Sequence, residues 1–431
     1  MELDQGNTAF MLICAALVLL MTPGLAFFYG GLVKAKSVIS MMMLSFGAMG
    51  LIGVLWVLYG YSIAFSNGPE GPAGTDTYIG WDGVFGFDPS MFSLDSLFQE
   101  VQSGEYAAAF PGIAFAAFQA TFAIITVALI SGAIADRAKF GAWMIFAGVW
   151  ATVVYFPVAS WVFNFTLGED GSVVDGGWIA QMGVIDFAGG TAVHINAGAA
   201  ALALALVLGK RVGFAKGADK PHNPPFVLLG AGLLWFGWFG FNAGSELAAD
   251  GIAALAFLNT IAAPAAAVLG WLVVEKLKDG KATSVGAASG AVAGLVAITP
   301  ACAALSPFWA IVLGVVAGAV CALAIDLKFK LGFDDSLDVV GIHLVGGLIG
   351  TLYLGFFATG SGLFFSGSFT QLGVQALSAL AVLVYSFVLA FLIGLAIEKT
   401  IGFRVKNEDE VAGIDLALHG EEGYVLENSR A

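Results

Sequence analysis

Two of the four histidines in the chain, His194 and His343, stand in stretches of apolar and small residues, DFAGGTAVHINAG and DVVGIHLVGG. An ionisable side chain is costly inside a hydrocarbon layer, so it is a functional candidate there by default. Imidazole donates and accepts hydrogen bonds and titrates near neutrality. It therefore suits a small, weakly basic species that carries protons. The blander alternative is an imidazole that merely hydrogen-bonds across a helix interface. Both segments open on an acid, Asp186 or Asp338, and both are rich in Gly and Ala, and this matched placement favours function. No third His, Cys or carboxylate accompanies the pair at ligand spacing, so no metal site is expected.

Asp186 precedes His194 by eight residues, about 12 Å along a helix. Capping and orienting the entry structure is its expected direct role, with attraction of a cation as the second. Asp338 receives the same capping assignment. Phe118 and Phe122 are four apart and share a helix face. In WFGWFGFNAGS, Phe241 precedes Ser245 by the same interval. With Phe163 at the same level, Phe118, Phe163 and the Ser245 hydroxyl are placed to surround a small cation, since ring faces attract cations. Phe122 and Phe241 then form aromatic constrictions one turn deeper. The competing explanation is packing or a membrane-interface belt, which accounts for most of the 36 phenylalanines.

These residues need helices that cross a membrane. The chain is 59% hydrophobic and 11% charged, more apolar than a soluble core requires. Apolar runs predict eleven spans, near residues 8–31, 40–66, 107–135, 140–164, 187–209, 226–247, 251–275, 284–304, 308–327, 339–359 and 372–398. All 17 Lys and Arg fall in alternate loops, from Lys34 and Lys36 to Arg430. The remaining loops carry acids, among them Glu70, Asp76, Asp82, Asp88, Asp95, Glu100, Glu105, Glu169, Asp170 and Asp175. Positive charge marks the cytoplasmic side, so the N-terminus is expected outside and the C-terminus inside.

The expected fold is an all-α integral membrane protein, a five-plus-five inverted repeat with one extra C-terminal helix. Residues 1–402 form the membrane domain and 403–431 a cytoplasmic tail. The acidic head lacks the basic region of a signal peptide, so the first span is expected to be retained. Cys14, Cys302 and Cys321 form no CxxC pair, which argues against a disulfide scaffold or thiolate metal site. A net charge of −14 without a basic patch excludes nucleic acid. No nucleophile–base pair, metal motif or phosphate loop suggests an enzyme or a cofactor.

The motifs GGLVKAKS, ISGAIADRAKF, DFAGGTAVHINAG, GKRVGFAKGADKPHNPP, WFGWFGFNAGS, ALAFLNT and DVVGIH resemble the ammonium transporter family, which comprises Amt, Mep and Rhesus proteins. The resemblance runs in order over nearly the whole chain, to the HGEEGY tail, and is strongest for prokaryotic Amt members. It implies a homotrimer in the plasma membrane with one pore per subunit. By match, His194 and His343 line that pore, Phe122 and Phe241 gate it, and Phe118, Phe163 and Ser245 recruit ammonium with Asp186 nearby. Many Amt members have Trp where this chain has Phe163, a poorer cation–π partner. Trp161 and Trp238 are candidates to compensate, and Trp238 joins the expected recruitment residues. The tail, including His419, is expected at a cytoplasmic contact and implies regulation by a PII-type protein.

A bare ammonium ion in an apolar pore faces the charge-burial penalty that excludes sodium and potassium. The expected route is capture outside, loss of a proton near the phenylalanines, and passage as ammonia. Whether the proton follows separately distinguishes electrogenic transport from a passive channel. The alternatives are an ammonium sensor signalling through the tail and a Rhesus-like channel for another small neutral gas.

Overall fold

The computed structural model describes residues 2–66, 79–81, 83–167, 173–214 and 220–424. Glu70, Asp76, Asp82, Glu169, Asp170, Lys216 and Arg430 lie outside the described residues. Ten described helices are long and apolar enough to cross a membrane: α1 (Gln5–Leu32), α2 (Ala35–Phe65), α3 (Gly112–Ile134), α4 (Phe140–Phe163), α5 (Gly190–Leu208), α6 (Pro224–Glu246), α7 (Gly251–Asp279), α9 (Pro307–Leu331), α10 (Val340–Phe357) and α11 (Thr370–Thr400). Between α7 and α9 lies α8 (Ser284–Ile298), where an eighth full span was expected. Its 15 residues reach about 22 Å, short of a hydrocarbon layer of about 30 Å. Every residue from Ala288 to Ile298 is buried, so α8 is sheathed by protein and its unmet length is not exposed to lipid. Pro300, which has no N–H to donate, stands just beyond its end.

Local chemistry sets the helix starts. Asp4 accepts from Asn7 N before α1, Asn223 accepts from Phe226 N before α6, and Asp250 accepts from Ile252 N and Ala253 N before α7. Each satisfies donors that a first helical turn leaves unpaired. Large apolar side chains such as Leu269, Val273, Leu380 and Leu392 point outward and are more than half exposed, as a lipid-facing surface requires. Trp56, Trp143, Trp150 and Phe146 fill the interior.

One end carries two antiparallel hairpins, β1 (Ile79–Trp81) with β2 (Phe85–Phe87) and β3 (Phe165–Leu167) with β4 (Val173–Gly176). Trp161 Nε1 donates to Val84 O at 2.5 Å and Trp178 N donates to Gly83 O, joining the hairpins. Trp161 is thus committed to structure.

The basic loops gather at the opposite end. Arg211 forms a buried ion pair with Asp334 at 2.9 Å, and Arg137 donates to Asp334 O and Ser336 Oγ, each at 2.5 Å. Burial pushes the Asp334 carboxyl up, but the bonds and charge of Arg211 outweigh it and hold the group below its ordinary range. The tail folds onto this end as helices Asn407–Ala412 and Ile414–His419. Glu410 accepts from Arg404 at 2.6 Å and from Val212 N at 2.5 Å, and Asp415 accepts from Ile39 N at 3.0 Å and Ser40 N at 2.7 Å. Burial raises Asp415 despite these backbone donors. The His419 ring lies against Phe140, with centroids 5.7 Å apart.

Candidate functional site

His194 and His343 each sit in a π-helical opening turn, Gly190–Ile195 in α5 and Val340–Leu344 in α10. Wider turns of this kind recur at functional positions. The helices approach closely because glycine stands at the crossing. A Cβ on Gly198 would lie 2.5 Å from Leu344 N, and one on Gly347 would lie 3.1 Å from His194 Cβ. The small residues therefore bring the imidazoles together, with Nδ1 atoms 3.3 Å apart and ring centroids 5.3 Å apart. One Nδ1 donates and the other accepts, so the two tautomers are linked. His194 Nε2 is buried without a partner among the described residues.

Both rings line a cavity with Phe241, Trp238 and aliphatic side chains. Its volume, for the centre of a water-sized molecule, is about 10 Å³, close to the least that holds one such molecule. His194 stacks on Phe241 and on Trp238, with centroids 6.1 and 5.5 Å apart.

A larger cavity of about 530 Å³ opens on the hairpin side and is lined by Gln119, Phe122, Phe163, Asp186, Ser245 and Glu246, among others. Phe122 faces this cavity, Phe241 faces the histidine cavity, and their rings pack 4.2 Å apart, inclined by 34°. The two phenylalanines are thus the partition between the cavities. Ser245 Oγ donates to Phe241 O at 2.8 Å, leaving its lone pairs to accept from a ligand.

Two expected recruitment residues lie elsewhere. Phe118 is fully buried one turn before Phe122 on α3, edge-on to it at 4.8 Å, and is not among the residues lining the outer cavity. Trp238 lies beyond the partition beside His194, its Nε1 donating to Thr299 Oγ1 at 2.8 Å. It does not stand in for an outer indole.

The acids also differ from expectation. The chain from Asp186 to Gly189 is not helical, so the carboxylate does not sit a straight helical run from His194. It folds over the start of α5 and accepts from Gly189 N at 3.0 Å, Gly190 N, Thr191 N at 2.9 Å, Ala192 N at 3.3 Å and Thr191 Oγ1. Capping is therefore its direct role. Asp338 does not cap α10. Its φ is +63°, and it accepts from Lys328 Nζ at 2.6 Å. The capping carboxylate is Asp335, which accepts from Val340 N at 2.7 Å. Asp335 precedes His343 by eight residues, as Asp186 precedes His194. Burial, opposed by Lys328 and reinforced by Asp338, raises the Asp335 carboxyl to about 6.

Sequence reasoning passed over Gln119, Phe115 and Glu246, all of which line the outer cavity. The available signal for Glu246 was a lone acid ending an apolar span directly after Ser245.

The Ammonium Transporter Family matches residues 9–424. The chain belongs to this family. An ammonium transporter of Mycobacterium tuberculosis is 56% identical over 436 aligned residues, covering 98% of this chain and 90% of that protein. The crystal structure of Saccharomyces cerevisiae Mep2 is similar at 33% identity and a TM-score of 0.81, covering 94% of this chain and 91% of that one. A structure described as a sensor Amt protein is similar at 28% identity and a TM-score of 0.84, covering 96% and 98% of the two chains. Membership makes the chain a multi-pass membrane protein of a transporter family rather than an enzyme.

Proposed function

We propose that this protein takes ammonium into the outer cavity, that the ion gives its proton to water of that cavity at the Phe122–Phe241 partition, and that ammonia passes along His194 and His343. The observation that carries this reading is the size and lining of the histidine cavity. It is apolar apart from the imidazoles and has room for about one water-sized molecule. A charged, unhydrated ion would lose more solvation there than two neutral rings restore. Ammonia, with a lone pair and three N–H groups, can accept from one imidazole and donate to another acceptor. His194 Nε2, unpartnered among the described residues, is the first polar atom available to it. The flux is toward the lysine-rich end, read as cytoplasmic by the distribution of charge.

The finer architecture belongs to the same proposal. Eleven crossings put the N-terminus outside and the C-terminus inside, with α8 as the short, protein-sheathed crossing. The repeated eight-residue interval from capping acid to histidine supports an inverted repeat. Three copies assemble in the plasma membrane, residues 1–402 transport, and residues 403–431 form a tail that a PII-type protein engages. The relative at 56% identity is named as a transporter, whereas the sensor is 28% identical, so transport is preferred to sensing.

Solid-supported-membrane electrophysiology on reconstituted protein tests the reading, with ammonium and potassium pulses applied to wild type and His194→Ala. An ammonium-specific current lost in the variant supports charge-coupled transport through the histidines. Ammonia flux detected by pH without current identifies a passive channel. Neither signal in wild type refutes the proposal.

A further inference from the structure

We infer that Glu246 is the cation-binding carboxylate of the outer cavity, with the Gln119 side-chain carbonyl as its neutral partner. The pair sets affinity for ammonium and its small alkylated relatives. This deepens the transport reading above and rests on it. Among the described residues, two acids line the cavity, Asp186 and Glu246. The Asp186 carboxylate is occupied by five donors of its own helix start, which leaves Glu246 as the described lining acid whose carboxylate is not taken up by backbone donors.

The backbone holds Glu246 there. It ends the tight turn Gly244–Glu246, and Leu247 follows at φ +62° with its N–H bonded to Gly244 O at 3.0 Å. A left-handed conformation is unfavourable for a residue with a branched side chain and tends to be kept where it serves a site. Leu247 lines the same cavity. The Glu246 side chain lies within hydrogen-bonding reach of Asp250, whose carboxylate caps α7 through Ile252 N and Ala253 N. Two acids side by side repel unless a proton or a cation lies between them.

A separate observation points to a ligand. Gln119 is 8% exposed, lines this cavity from α3, and its Oε1 has no hydrogen-bond partner among the described residues. A buried acceptor left empty is costly, and a ligand N–H removes that cost. Ammonium brings four N–H donors and one positive charge, which match Gln119 Oε1, the Ser245 lone pairs and Glu246. Phe163 lines the same cavity, and its ring is a weaker cation partner than an indole. The carboxylate supplies attraction that the ring lacks.

The test is a concentration series of ammonium and methylammonium currents from the full chain in liposomes, at low and high ionic strength. Glu246→Gln is expected to raise the half-saturating concentration about tenfold at low salt with the maximal current unchanged, the size of a close charge contact in partly wet surroundings. Glu246→Asp, which keeps the charge, stays within about twofold, and Gln119→Leu rises about threefold, less than the charge change because a neutral hydrogen bond is weaker. Salt weakens wild-type affinity and leaves Glu246→Gln nearly unaffected. Wild-type currents with an unchanged half-saturation and salt response in Glu246→Gln would overturn this inference alone. Absence of both current and ammonia flux in wild type would overturn the transport reading and this inference with it.

Discussion

Replacing Asp186 by Asn separates a carboxylate that builds a helix start from one that merely attracts cations. One carboxylate oxygen accepts from Gly189 N and Gly190 N, and the other accepts from Thr191 N, Thr191 Oγ1 and Ala192 N. An asparagine presents one oxygen and one NH2 group. Whichever way the amide turns, two backbone N–H groups face its NH2, because only the Thr191 hydroxyl can reverse its role. Each buried donor left unpaired costs about 1–3 kcal/mol, so the substitution should destabilise the protein by about 2–6 kcal/mol. Asp186→Ala empties all four backbone donors and should cost more. Thermal unfolding of the detergent-solubilised protein, read beside ammonium flux in liposomes, measures both consequences. The expected order of melting temperature is wild type, then Asp186→Asn, then Asp186→Ala, with flux falling in step because His194 lies in the turn that the cap organises. An Asp186→Asn protein that melts with wild type and differs only in half-saturating ammonium would refute the capping argument and return Asp186 to a role in recruitment.

Asp335 gives a pH-dependent counterpart. Burial, with Asp338 adding to it and Lys328 opposing, raises its carboxyl from 3.8 to about 6, so the folded protein keeps a proton that the unfolded chain releases between about pH 4 and 6. The stability that this proton lends is full below the unfolded value and is lost as pH rises through the folded one. The difference in melting temperature between wild type and Asp335→Asn should therefore fall from pH 4 to pH 6, and a flat or rising difference contradicts the assignment. At the tail, Asp415→Ala removes the acceptor of Ile39 N and Ser40 N, an N-cap loss of about 1–2 kcal/mol. Opening of the tail should increase by about tenfold per 1.4 kcal/mol, read as faster tryptic cleavage after Lys406 and faster hydrogen exchange in the two tail helices. Unchanged cleavage would mean that Glu410 holds the tail without it.

What the sequence by itself determined is the set of features that depend on local order along the chain. Helix length and apolar content follow from runs of residues, so the ten long apolar helices were legible to within a few positions of their ends. The convergence of Arg137, Arg211 and Arg404 at one end was legible because basic residues occupy alternate loops. The histidine pair stood out because imidazole is costly in apolar surroundings, and the glycines beside it announced a close crossing. The depth of Trp238 and the partner of each capping acid were not legible, because they depend on how helices tilt and where a loop turns. Trp238 and Phe241 are three residues apart on α6, yet only the packed structure put both on the histidine side of the partition, with Ser245 and Glu246 on the other. Asp335 caps α10 in place of Asp338 because the left-handed turn at Asp338 carries its carboxylate to Lys328. A side chain's position in sequence limits its reach, but the partner that satisfies it is chosen by the neighbouring helices, which is a tertiary decision.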